Sequence, residues 1–135
     1  MQRVLGFDFG LRRIGVAVGQ TLTQTATPVT TILAKEGTPD WGEISELIKH
    51  WNPSTIVVGV PLNMDGTDQA ITTKARHFAR ELQMHTDKPV ALVDERLSTK
   101  EARWKLNELK EKTMSHVKVD ALAACLIVET WLKSV

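Results

Sequence analysis

The chain has 135 residues, 42% of them hydrophobic and 24% charged. That is the size of one domain, residues 1–135, with a core of its own, and the balance excludes disordered and fibrous classes. A net charge of +1 excludes a uniformly basic nucleic-acid coat, and a single cysteine, Cys125, excludes an internal disulfide or a multi-cysteine zinc site.

In chain order, residues 3–9 form the first strand-like run, and Asp8 interrupts it too early for a signal peptide. Residues 13–20 and 26–34, rich in Val, Ile and Thr, read as two more strands, the first pair a hairpin across Gly10-Leu11-Arg12. The period then changes. Thr38-Pro39-Asp40 reads as a helix start, with proline at the first helical position. Trp41, Ile44, Leu47, Ile48 and Trp51 follow at helical spacing, and Asn52-Pro53 is the stop. Residues 55–60 are a continuous β-branched run, the mark of a strand buried on both faces. A loop over 61–67 leads to a helix over 68–84, and 89–93 reads as a second buried strand ending in Asp94-Glu95-Arg96.

Ser98-Thr99-Lys100-Glu101 has capping-box spacing and starts a helix to about residue 110. Residues 110–115 lack an apolar period and read as mobile, and a last helix covers 117–132. The longest apolar run, 121–128, is far short of the ~20 residues that span a bilayer, so a soluble, cytoplasmic protein with no membrane partner is expected. The order predicts an α/β fold: a five-stranded mixed sheet with helices on both faces.

Three acids stand out. Asp8 lies between two phenylalanines, where alternation puts Leu5, Phe7 and Phe9 on one face and Gly6 and Asp8 on the other. A carboxylate there is costly unless paired, hydrogen-bonded or metal-bound, although it could also cap the following turn. Asp94-Glu95 repeats the pattern at the end of a later strand, where open α/β sheets place ligands. Asp120 opens an otherwise apolar helix. Each alone has a plain explanation: a turn cap, a pair with Arg96, a favourable acid at a helix N-terminus. Together they suit a hard divalent cation, Mg²⁺ or Mn²⁺.

Segment 96–118 carries seven Lys or Arg against three Glu, a local balance of +4. It reads either as a solvated helix face or as a track for a phosphate backbone, through Lys105, Lys110 and Lys112. Arg96 and the Ser98/Thr99 helix start are candidate anion sites, with Arg12 and Arg13 at the first turn. Trp41, Trp51 and Trp131 fit helix packing, while Trp104 lies off its helix's apolar stripe and suits base stacking or a dimer contact. Cys125 reads as a small core residue.

Five ordered motifs carry a resemblance: Phe7-Asp8-Phe9-Gly10, Ile14-Gly15-Val16-Ala17, Gly59 to Gly66, Asp94-Glu95-Arg96-Leu97-Ser98-Thr99 and Val119-Asp120-Ala121-Leu122-Ala123-Ala124. Across essentially the whole chain they resemble the YqgF family, also called RuvX, of bacterial RNase H-like proteins. The resemblance implies a βββαβαβα RNase H-like fold and a metal-dependent nuclease of two ions, maturing the 5′ end of pre-16S ribosomal RNA within ribosome-assembly particles. It also implies Asp8, Glu95 and Asp120 as metal ligands, with Asp94 as an alternative to Glu95. The related Holliday-junction resolvases carry a glutamate at the end of the strand matching 55–60, where this chain has Gly59. Its second acid would then come from the neighbouring strand.

Structured DNA remains an alternative substrate, and a non-catalytic RNA-binding assembly factor an alternative of another class. An ATP-dependent phosphotransferase, suggested by Asp8-Phe9-Gly10, needs two such domains, and this chain supplies one. A monomer or weak homodimer is expected.

Overall fold

The computed structural model describes residues 2–98, 100–111 and 116–135. Strands β1 (Arg3–Asp8), β2 (Arg13–Gln20), β3 (Thr25–Lys35) and β4 (Thr38–Pro39) come first, followed by helix α1 (Trp41–Trp51). Then come β5 (Thr55–Val60), α2 (Ala70–Thr86), β6 (Val90–Asp94), α3 (Lys100–Glu111) and α4 (His116–Ser134). The sheet order is β4-β3-β2-β1-β5-β6, with β1, β2, β3 and β4 paired antiparallel, and β5 and β6 added in parallel through crossovers.

The hairpin, the two crossovers and the placement of helices on both faces are as expected from the sequence. The strand count is not: the sheet has six strands rather than five. Thr38 and Pro39 pair with Lys35 and Ala34 across a two-residue turn. Glu36 and Gly37 both take positive φ there, 50° and 85°, which is the backbone that matches a hairpin's twist. Pro39 is therefore a strand residue and not the first residue of a helix. The helix cap is Asp40, whose carboxylate accepts from Gly42 N at 2.9 Å. Asn52 closes α1 in the left-handed conformation, its N–H donating to the Ile48 carbonyl. The segment 110–115 read as mobile falls largely outside the described residues.

A second correction concerns 89–93. It is an edge strand, not a strand buried on both faces: of β6 only Val93 is buried, and Leu92 is 50% exposed. A short apolar run is the same in sequence whether one neighbour or two cover it.

The sheet divides two cores. On one face Leu5, Phe7, Ile14 and Val16 pack against Ile44 of α1 and Phe78 and Leu82 of α2. Full burial of a side chain such as Phe7 is worth roughly 1.5–3 kcal/mol. On the other face Val4, Ala17 and Val57 meet Ala124, Ile127 and Val128 of α4. Here the strands carry glycine where they pass under the helix. A methyl group on Gly6 would strike Val128, one on Gly19 the same side chain, and one on Gly59 the side chain of Ile127. On Gly15 it would strike the backbone carbonyl of Asp120, which cannot rotate away.

Gly15→Ala is expected to cost about 3 kcal/mol or more, because main chain must move to admit the methyl. In a thermal melt this would appear as a fall in Tm of roughly 10 °C. A melt unchanged within error would mean that α4 does not sit on β2 this closely.

Candidate active site

Asp8 is the last residue of β1 and shares the α4 face with Gly6. On one side its register partner is Gly15 of β2, directly beneath the Asp120 backbone. On the other side β1 runs parallel to β5 with Phe7 beside Val58, so the next step brings Asp8 level with Gly59. The Oε1 atom of Glu95 lies 3.1 Å from the point a Gly59 Cβ would occupy. The carboxylate absent from the end of β5 is thus delivered over its glycine by the residue that follows β6. Asp8, Glu95 and Asp120 therefore occupy one face at one end of the sheet, all three half-buried.

Their partners differ. Asp120 Oδ2 accepts from Arg13 Nε at 2.9 Å, an ion pair with both side chains partly shielded. Glu95 is anchored through its main chain. Its carbonyl accepts from the Ser98 hydroxyl at 2.9 Å and from an Nη of Arg103, whose Nε also donates to Ser98 Oγ at 2.7 Å. Arg103 was not singled out in the sequence. The one available signal was its place one helical turn inside α3, close enough to reach back to the turn that carries Glu95.

Asp94, the alternative to Glu95, points elsewhere. Its carboxylate is clasped by Arg96, with Nε at 3.1 Å from both oxygens and Nη2 at 2.7 Å from one. The Arg96 side-chain hydrogen bond holds the Asp94 carboxyl below its ordinary value of 3.8, against the opposing push of burial. Arg96 also donates to the Met64 carbonyl at 3.3 Å and so ties the 61–69 loop to the end of β6. It is engaged in a structural clasp, and Ser98 is likewise engaged. Arg12 and Lys105 are exposed, whereas Thr99, Lys112 and the Lys110 side chain lie outside the described residues. Beside Glu95, Ser98, Arg103 and Leu106 help line a cleft of about 320 Å³ between the end of β5, α3 and α4. Trp104 is 66% exposed next to it, off the packed stripe as its spacing predicted.

Among the described residues no group of three His, Cys, Asp or Glu side chains is gathered closely enough to hold a metal ion as it stands. The donor chemistry nevertheless fits one: Asp8, Glu95 and Asp120 offer hard carboxylate oxygens at one end of the sheet, with Arg13 engaging Oδ2 of Asp120.

A family model described as "RuvX: Holliday junction resolvase" matches residues 2–134. The chain belongs to the RuvX family. Two relatives from Francisella tularensis, subsp. holarctica strain OSU18 and subsp. novicida strain U112, bear the name "Putative pre-16S rRNA nuclease". Each is 49% identical over 131 residues, covering 97% of this chain and 96% of the relative. Among solved structures, RuvC of T. thermophilus in complex with a Holliday junction substrate superposes with a TM-score of 0.61 at 15% identity, over 99% of this chain and 96% of that one. The fowlpox virus Holliday junction resolvase gives 0.56 at 12% identity, over 98% and 99%. At such identities the likeness establishes the fold of this RuvX protein as that of the RuvC-like resolvases. Among its described residues no helix is long and apolar enough to cross a membrane.

The clasp on Asp94 predicts a signed pH dependence. Because its folded pKa is lowered, it contributes stability above the unfolded value of about 3.8, and this is lost as pH falls through the lower folded value. Asp94→Asn should therefore be less stable than wild type at neutral pH, and the gap should close below pH 3.8 in denaturant melts. A gap independent of pH would remove the ion pair from the account.

Proposed function

We propose that residues 1–135 of this RuvX protein form one metal-dependent nuclease domain, cytoplasmic, that hydrolyses phosphodiester bonds in the 5′-end maturation of pre-16S ribosomal RNA. The observation that carries this reading is the position of Asp8 between two glycines over which Asp120 and Glu95 lie. The relatives named for pre-16S rRNA favour RNA over DNA as the substrate. The precursor would be met within assembling ribosomal particles, by a monomer or weak homodimer.

Asp8, Glu95 and Asp120 would hold two ions of Mg²⁺ or Mn²⁺. When bound, such ions supply a nucleophile from water near neutral pH and offset charge on the attacking and leaving oxygens. Asp8, between the other two, would be the central ligand of the three. Glu95 is held to its task by Arg103 and Ser98, which fix its main chain and leave its carboxylate over Gly59. Arg13 neutralises Asp120 in the resting site. The Arg13 guanidinium, held beside these acids by Asp120, is a group that could also bind a phosphodiester oxygen. Lys105, exposed on α3, would offer a further phosphate contact. Arg96 and Ser98 are assigned to support instead.

A second reading, cleavage of four-way DNA junctions, is favoured by the RuvC-like fold. The purified chain would be incubated with 5′-extended precursor RNA, single-stranded RNA and a four-way junction, each in Mg²⁺, Mn²⁺ and EDTA. Metal-dependent cut of the precursor alone supports the proposal, and cut of the junction alone overturns it. Binding of RNA without cleavage in either metal would make the chain an assembly factor.

Asp8→Asn should lower cleavage at least 100-fold while RNA binding in EDTA persists. Wild type should also gain about 1.4 kcal/mol of stability at ~10 times the metal dissociation constant, and this gain should vanish in the variant. Substantial cleavage by Asp8→Asn would refute a metal-holding role for Asp8.

A further inference from the structure

The face of the sheet away from the acids carries a second cleft, at the same end of β1. It has a volume of about 590 Å³, within the ordinary range for a small-ligand site, and its lining includes Phe9, Pro39, Trp41 and Phe78. Phe9 follows Asp8 directly, so the two side chains leave the end of β1 toward opposite faces. The Glu36-Gly37 turn forms one wall and is tied to the β1–β2 connection by Gly37 N donating to the Leu11 carbonyl at 2.8 Å. Helix α2 forms the other wall, bearing Lys74 and Arg80. Lys74 is shared with a shallower hollow beside it, which adds Arg12 and Lys35.

These four cations are exposed, and among the described residues none of them is paired with a carboxylate. Two acids share the rim, Glu36 and Glu81, the latter 3.6 Å from His77 and His85, so four cations stand against two carboxylates. An aromatic-floored cleft under a net cationic rim suits a flat, apolar-faced ring attached to an anionic backbone.

We propose that this cleft, on the face opposite the acids, receives an unpaired nucleobase of the RNA substrate, with its flanking phosphates on Lys74, Arg80, Lys35 and Arg12. The inference rests on the nuclease reading for its ligand class but not for its evidence. Only the thickness of the sheet separates the cleft from Asp8, so one strand can cross the end of β1 and engage both. A base held there would select single-stranded RNA and set the distance along the chain from the anchored nucleotide to the cut.

Two variants test it: Thr73→Trp, which fills the cleft from an exposed position on α2, and Lys74→Gln/Arg80→Gln, which leaves the cleft open. Each would be compared with wild type in EDTA, by fluorescence anisotropy of a labelled single-stranded RNA hexamer over a range of salt. The same hexamer would be offered with an abasic site at each position in turn, and adenosine monophosphate would serve as competitor. Thr73→Trp should bind the hexamer about 10-fold more weakly with an unchanged salt slope, and should lose the wild type's preference over the abasic series. The double variant should keep that preference but flatten the slope of log affinity against log salt by about 1.4, for two phosphate contacts on a single strand.

An unchanged slope together with wild-type base preference in Thr73→Trp would overturn the proposal. So would competition by the mononucleotide as strong as by the hexamer, since a free nucleotide would then be the occupant. The two readings fail separately. Metal-dependent cleavage with intact binding by both variants refutes the cleft alone, and cleft-dependent binding without cleavage refutes the nuclease alone.

Discussion

The close seating of α4 on a glycine-lined sheet face is the constraint on which the rest of the molecule depends. Gly6, Gly15, Gly19 and Gly59 remove the side chains that would hold the helix off the strands. Loss of those side chains forfeits some apolar burial, and Ala124, Ile127 and Val128 recover it by packing directly on Val4, Ala17 and Val57. The consequence is chemical as well as mechanical. With Asp120 resting on the Gly15 backbone, its carboxylate is brought beside the end of β1, where Asp8 stands.

Charge shapes the same place. Three carboxylates brought to one end of a sheet repel one another, and the surroundings answer with guanidinium groups: Arg13 on Asp120, and Arg103 on the main chain of Glu95. Arg96 answers to Asp94 on the other side of the strand end and pulls in the 61–69 loop through the Met64 carbonyl. The two adjacent acids thus separate by role. One is a fastener for a loop, and its neighbour is free of that duty and reaches over Gly59.

Much of this was legible in the sequence. The alternation in β1 placed Asp8 opposite the Phe7 face, the β-branched run marked β5 as a strand buried on both faces, and β2 and β5 have the boundaries expected of them. For the site, the glycine at 59 raised the expectation of an acid from the neighbouring strand, Asp94 or Glu95. Less legible were features decided by contacts distant in the chain. Glu36 in a left-handed turn gives no side-chain signal, so a two-residue edge strand was read as a helix start. The exposure of Leu92 depends on there being no strand beyond β6. Whether Asp94 or Glu95 faces the site depends on Arg96 winning the first of them. Cys125 matches its reading as a core residue, with burial pushing its thiol up to about 12.

The ion pair between Arg13 and Asp120 spans 107 residues of chain, and it joins the first hairpin to the helix that closes the fold. A segment that stops before α4 can already pair β1 with β5 and β6, but all three acids come to one end of the sheet only once α4 is seated as well. The contacts that seat α4 on β1 and β2 close loops as long or longer, as where Val128 meets Gly6, and closures of that length are slow beside local structure. An incompletely folded chain therefore carries the three carboxylates scattered along its length, without the one end of the sheet that gathers them.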